Sequence, residues 1–130
     1  MSNPVNVICM KWGDKYDASY VNKLYNMVSR NLAREFRFIC LTDDNSGLSS
    51  AIEAFDIPKL NLPKGIPERG WTKLVTFSKN IFDIKGQCLF LDLDLIVVDS
   101  IDQLFDLSGD FFIIKDFLKK DATGNSSVYR

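Results

Sequence analysis

The sequence predicts an α/β protein with an open mixed, mostly parallel sheet and helices on both faces. Short apolar runs of strand length alternate along the chain with segments whose apolar residues recur every three or four positions. The runs are apolar on both pleat faces, as strands covered on either side are. With 46% apolar and 25% charged residues in a chain of 130, one core is expected, a single domain over 1–130 without repeat or linker.

Residues 5–10 form a first apolar run that stops at Lys11-Trp12-Gly13-Asp14, a strand entering a turn. Beyond Asp17 the spacing of Val21, Leu24, Tyr25, Val28 and Leu32 predicts an amphipathic helix, with Asp17 or Ser19 as its cap. Residues 34–42 read as a second strand, ended by Asp43-Asp44-Asn45-Ser46-Gly47. Over 56–62, Pro58 and Pro63 reduce a further strand to an edge or an extended connector. Residues 69–82 predict a second helix, with Trp71, Leu74, Val75, Ser78, Ile81 and Phe82 on its apolar face and Lys73, Thr76 and Asn80 opposite. A third strand is expected over 87–98, a short helical turn over 102–107 and a fourth strand over 110–115, before a polar stretch over 117–125.

Composition excludes several kinds of chemistry and partner. Sixteen basic against seventeen acidic residues leave a net charge of -1, so no whole-chain basic footprint for nucleic acid or anionic lipid is expected. The chain has no histidine, which removes Ser-His and Cys-His dyads and imidazole bases. Cys9, Cys40 and Cys88 are odd in number and embedded in apolar runs, so they read as small buried hydrophobes of a reducing compartment. No charged leader or transmembrane stretch is legible, and a cytoplasmic location is expected.

The informative segment is Cys88-Leu89-Phe90-Leu91-Asp92-Leu93-Asp94-Leu95-Ile96-Val97-Val98. Read with a period of two, Leu89, Leu91, Leu93, Leu95 and Val97 share one face, while Asp92 and Asp94 share the other with Cys88, Phe90 and Ile96. Two ionised carboxylates amid apolar residues need a compensating cation. At the carboxyl end of a sheet strand they would face a ligand crevice and suit a hard divalent ion, Mg²⁺ or Mn²⁺. The alternative is that the strand emerges into solvent at Asp92; the apolar residues continuing to Val98 weigh against it.

Leu89-Phe90-Leu91-Asp92-Leu93-Asp94-Leu95-Ile96-Val97 resembles the Asp-x-Asp strand of GT-A glycosyltransferases, most closely the glycogenin-like and lipopolysaccharide sugar transferases. Trp71-Thr72-Lys73-Leu74 resembles the family's preceding aromatic-x-basic-Leu helix, and Asp99-Ser100-Ile101-Asp102-Gln103-Leu104-Phe105 its following acidic segment. Ile113-Ile114-Lys115-Asp116 and Asn125-Ser126-Ser127-Val128 are similar to its next two strands. The resemblance implies a Rossmann-like fold that binds a nucleoside-diphosphate sugar, UDP-linked by preference, for retaining transfer to a sugar, lipid or protein acceptor. It implies Asp94 as main metal ligand, Asp92 as ligand or ribose partner, and Leu93 between them at the nucleotide.

Lys73 would meet phosphate or the sugar-side carboxylates, or is a solvated helix lysine. Loops starting at Lys11 and Thr42 would flank the same crevice. There Trp12 or Tyr16 would stack on the base and Thr42, Asp43 or Asp44 would accept from base or ribose; equally, Trp12 covers the core edge and the two aspartates build an Asx-turn. Asp116 and Asn125 match positions near the donor sugar, though Asp116 also suits a turn.

The chain departs from the family in lacking the histidine that often completes the metal shell, so diphosphate oxygens and water would complete it and binding would be weak without nucleotide. Enzymes of this kind usually continue into an acceptor-binding region that is missing or minimal here, so the chain would be either a fragment or a very small enzyme that borrows its acceptor surface from a partner chain or a second copy. Two other readings stand: a non-catalytic nucleotide-sugar binding module, and a haloacid-dehalogenase-type phosphatase. The phosphatase pattern places its Asp-x-Asp on the first strand, which does not match the order here.

Overall fold

The computed structural model describes residues 4–59, 63–65, 70–77 and 82–130. The protein is a mixed α/β structure built on a six-stranded sheet, ordered β3-β2-β1-β4-β6-β5. The strands are β1 (Val5–Lys11), β2 (Phe36–Thr42), β3 (Glu53–Phe55), β4 (Cys88–Leu91), β5 (Ile113–Lys115) and β6 (Gly124–Tyr129). β1 pairs in parallel with β2 and β4, and β2 with β3, whereas β6 runs antiparallel to both β4 and β5. Every residue of β1 is buried, as a central parallel strand with both faces covered requires.

The helix α1 (Ala18–Asn31) starts where the sequence signals it. Asp17 is its N-cap, its Oδ1 accepting from the Ser19 backbone N–H at 3.0 Å, and the Ser19 hydroxyl, followed by that N–H, holds the Asp17 carboxyl below its ordinary pKa. Val21, Leu24 and Val28 on α1 bury against Val7, Cys9, Phe38, Cys40, Leu89 and Leu91 from one sheet face. Ile8, Met10, Ile39, Leu41 and Phe90 point the other way, toward Val75 and Tyr129. Cys9 and Cys40 face each other across the β1–β2 pair, free and buried; Cys88 is free and half-buried.

Several expected elements are corrected. The second helix is a 3₁₀ segment, Gly70–Phe77, and is the cover of the second face; among the described residues α1 is the only α-helix. The Thr76 hydroxyl donates to the Lys73 carbonyl three residues back at 2.7 Å, a side-chain bond that accompanies the tighter winding. Three residues per turn bury Val75 but leave Leu74 and Phe77 exposed, so the predicted 3.6-residue face does not hold. Phe82 is exposed on one side and stacks on Phe55. The Trp71 side chain, Arg69 and residues 78–81 of that expected helix lie outside the described residues.

The edge strand is Glu53–Phe55, just before the expected 56–62 segment, whose residues 60–62 lie outside the described ones. Beyond Phe55 Pro58 removes a ladder donor, so pairing ends before it. The strand expected over 110–115 is confined to Ile113–Lys115, and the helical turn over 102–107 is a 3₁₀ turn, Asp102–Phe105.

The largest correction concerns β4, which ends at Leu91 and not at Val98. The Leu95 N–H turns back to the Asp92 carbonyl at 3.4 Å, and the chain then descends along α1. There Asn31 donates to the Val97 carbonyl and the Ile101 N–H reaches the Asn31 carbonyl. Leu93 is buried, with Leu95 and Val97 packed on the α1 side of the core, while Ile96 and Val98 face outward. The inward alternation carries on past the turn at residues 93–94 because Leu93, Leu95 and Val97 all pack against the core on the α1 side. No helix among the described residues is long and apolar enough to cross a membrane.

Candidate functional site

The strand order runs outward from β1 through β2 to β3, then returns to place β4 on the other side of β1. Connections therefore leave β1 and β4 in opposite directions, and their carboxyl ends open a crevice of the kind in which α/β sheets bind ligands. A cavity of about 300 Å³ lies there, its walls including Lys11, Trp12 and Tyr16 from the β1 end and Asp92, Leu93 and Asp94 from the β4 end, with Lys73 between them.

Lys73 is an organised residue and not a solvated one. Its side chain is only 16% exposed, and its Nζ lies 2.6 Å from Asp92 Oδ1. The same ammonium donates to the Ser126 carbonyl at 3.2 Å and sits 5.1 Å from the Phe90 ring centroid. Asp92 is anchored by its backbone, whose N–H donates to the Ser127 carbonyl of β6 at 2.9 Å. Asp94 is more exposed; the Tyr16 hydroxyl approaches its Oδ2 at 3.5 Å, a long contact that leaves most of the carboxylate uncommitted among the described residues.

At the β1 side, Lys11 is 6% exposed and is the last residue of the strand. The Lys11 ammonium is in no ion pair among the described residues. Trp12 is exposed at the rim, and Tyr16 packs edge-to-face on Tyr20 at 4.8 Å with Lys15 above its ring.

The remaining predicted residues are placed elsewhere. Asp43 Oδ2 accepts from the Gly13 N–H at 2.9 Å, tying the loop after β2 to the loop after β1. Gly13 adopts a φ of 67°, the left-handed region that this turn needs. Thr42 Oγ1 bonds to both the Asp44 carbonyl and its N–H, and Asp44 Oδ1 takes the Ser46 N–H at 3.0 Å, which lowers the Asp44 pKa. Thr42, Asp43 and Asp44 thus line a separate, shallower recess with Asn45 and Asp56. Asp116 closes the β5–β6 turn by accepting the Leu118 N–H at 3.0 Å, and Asn125 accepts the Ser127 N–H at 2.9 Å; neither lines the main cavity.

Four participants were not singled out from sequence: Lys15, Phe90, Ser126 and Tyr129. Phe90 had a signal, since it alternates with Asp92 on the same face. Tyr129 stacks on Phe90 at 4.8 Å and shares a 2.8 Å hydroxyl bond with Thr76, and burial pushes its phenol up to about 12. It props the floor beneath Lys73.

No ion pair other than Lys73–Asp92 joins the cavity walls, and no group of three or more acidic, thiol or imidazole side chains converges among the described residues. The cavity therefore presents two carboxylates, three lysines and three aromatic residues around one opening. That set suits a ligand carrying both an anionic group and a flat ring. Comparison of the chain with protein-family models and with curated proteins finds no match.

Proposed function

We propose that this chain binds a nucleoside-diphosphate sugar, UDP-linked by preference, as the donor part of a metal-dependent glycosyltransferase with a Rossmann-like GT-A fold. The observation that carries the reading is the meeting of Lys11, Trp12, Tyr16, Lys73, Asp92 and Asp94 around one cavity at the β1–β4 switch point. Trp12 or Tyr16 supplies a stacking surface for the base. Lys11 and Lys73 supply fixed positive charge for the diphosphate.

The donor set fits Mn²⁺ or Mg²⁺. Asp94 and Asp92 are hard oxygen donors on one wall, and Mg²⁺ commonly takes one or two carboxylates plus substrate phosphates. Asp94 would be the main ligand, with Asp92 shared between the ion and Lys73. Such an ion, when bound, neutralises charge that grows on a departing diphosphate. The protein's own contribution is orientation: Lys73, pinned by Ser126 and Phe90, holds Asp92 in one position before any ligand arrives.

Calorimetric titration with UDP, UDP-sugars and other nucleoside diphosphates, with Mn²⁺, Mg²⁺ or chelator, tests the reading. Binding of a nucleoside diphosphate that requires the metal is expected; no binding under any of these conditions ends it. Binding without sugar release or transfer would identify a non-catalytic module, and hydrolysis of a phosphate monoester without nucleotide would identify a phosphatase.

A further inference from the structure

The β5–β6 hairpin carries an exposed feature that the donor site does not use. Its connecting turn, residues 116–123, holds Phe117 and Leu118 side by side, 88% and 93% exposed. A lone exposed Leu or Phe is ordinary, but two adjacent large apolar side chains, each almost fully bare at the tip of a turn, are not. The turn is a built one. Asp116 Oδ1 accepts the Leu118 N–H at 3.0 Å, the Lys119 N–H reaches the Asp116 carbonyl at 3.1 Å, and the Asp116 N–H closes the base on Thr123 at 2.8 Å.

Charge surrounds this tip. Lys115, Lys119 and Lys120 are all exposed and in no ion pair among the described residues, and they outnumber by one the two carboxylates of the turn, Asp116, which accepts from the Leu118 N–H, and Asp121, which accepts from the Thr123 hydroxyl. A whole-chain charge of -1 averages over the surface and hides this local excess. Apolar side chains with lysines at their flanks match the two layers of an anionic bilayer surface, acyl boundary and headgroups.

Topology fixes where the tip lies. β6 is antiparallel to β4, with Leu91 opposite Val128, so residues 124–127 run about 13 Å past the end of β4 at roughly 3.3 Å per residue. The tip therefore projects from the edge of the sheet at which the cavity opens.

The geometry points to membrane docking: the 116–123 hairpin inserts Phe117 and Leu118 into the interface of an anionic lipid bilayer, with Lys115, Lys119 and Lys120 on the headgroups. Docking is independent of the donor-site reading. Its consequence rests on that reading: the cavity mouth is held toward the bilayer, and the acceptor class it serves is carried on a lipid.

The test is flotation of the full chain, without nucleotide or metal, on vesicles of phosphatidylcholine alone or with about one third phosphatidylglycerol. Binding to the anionic vesicles only, weakened by salt, is expected. The paired changes Phe117→Ser with Leu118→Ser, and separately Lys119→Glu with Lys120→Glu, should each lower partitioning at least about tenfold. Circular dichroism and melting should not change, because these side chains are exposed.

The proposal is overturned if the native chain stays off anionic vesicles, or if both variants float as the native chain does. It is equally overturned if the hairpin instead mediates self-association, seen by sedimentation and abolished by the same serines, while vesicles remain unbound. A chain that floats but binds no nucleoside diphosphate keeps the docking and loses the donor reading.

Discussion

Two acidic turns follow two parallel strands of the same sheet, and they have opposite characters. After β2, Asp43 and Asp44 are consumed by backbone donors, Gly13 N–H for one and Ser46 N–H for the other. After β4, Asp92 faces an ammonium and, among the described residues, Asp94 has only a long contact from a tyrosine hydroxyl. The first pair builds loops; the second is left able to take a ligand. An aspartate is a turn-former or a ligand according to whether a backbone N–H reaches it first, which residue type alone does not specify.

The sharpest way to break this contrast is Asp94→Ala. Metal-dependent nucleotide binding should fall at least about 100-fold by calorimetry, since a metal ligand costs more than the 10–100-fold typical of its supporting partners. The melting temperature should hold or rise slightly, because an exposed carboxylate beside Asp92 is removed and no cavity forms. A large loss of stability would place Asp94 with the loop-building pair.

Lys73→Met comes next, with nucleotide affinity falling about tenfold as a phosphate cation and the partner of Asp92 are lost together. An unchanged affinity would mean that the ion pair is only a brace.

Asp43→Ala should do the reverse of Asp94→Ala. Losing its bond to Gly13 costs about 1 kcal/mol, a fall in melting temperature of about 3–6 °C, with nucleotide affinity changed less than about threefold. Strong loss of binding without loss of stability would move Asp43 into the ligand site.

The smallest effect concerns acid. Because the folded pKa of Asp44 is lowered, chiefly by the Ser46 N–H, its contribution is complete above the ordinary carboxylate value of about 4 and disappears as pH falls through the lowered folded value. Melting curves of the native chain and Asp44→Ala should differ by a constant amount near neutrality and converge in acid. A difference that persists at the lowest pH would detach it from ionisation.

Most strands, α1 and its Asp17 cap were legible as sequence, because burial on both strand faces and a three-to-four spacing are local patterns with local causes. The inward alternation of Leu89, Leu91, Leu93, Leu95 and Val97 was legible too. The end of β4 was not. The apolar alternation runs on through the turn at residues 93–94 as it would along a strand, and the β4–β6 ladder ends at the Leu91–Val128 pair. The 3₁₀ winding of 70–77 was also hidden, since apolar spacing does not register a threonine bonded to its own turn.

Within the site, Asp92 and Asp94 stood out because carboxylates in an apolar run would be costly if buried, although the fold leaves Asp92 half-buried and Asp94 exposed. Lys73 was visible only as one of two alternatives, and its burial depends on Phe90 and Ser126, residues distant in sequence.

What the sequence by itself determined, then, is the order of the secondary elements, the apolar faces and the presence of an unusual acidic pair, all set by side-chain type and spacing within a few residues. Tertiary structure alone decided which of the two acidic turns stays open, which lysine meets it, and that the 116–123 tip projects from the cavity's edge of the sheet. Each depends on how far apart in sequence the partners are: pairing across strands and loops brings them together, and no local pattern encodes that distance.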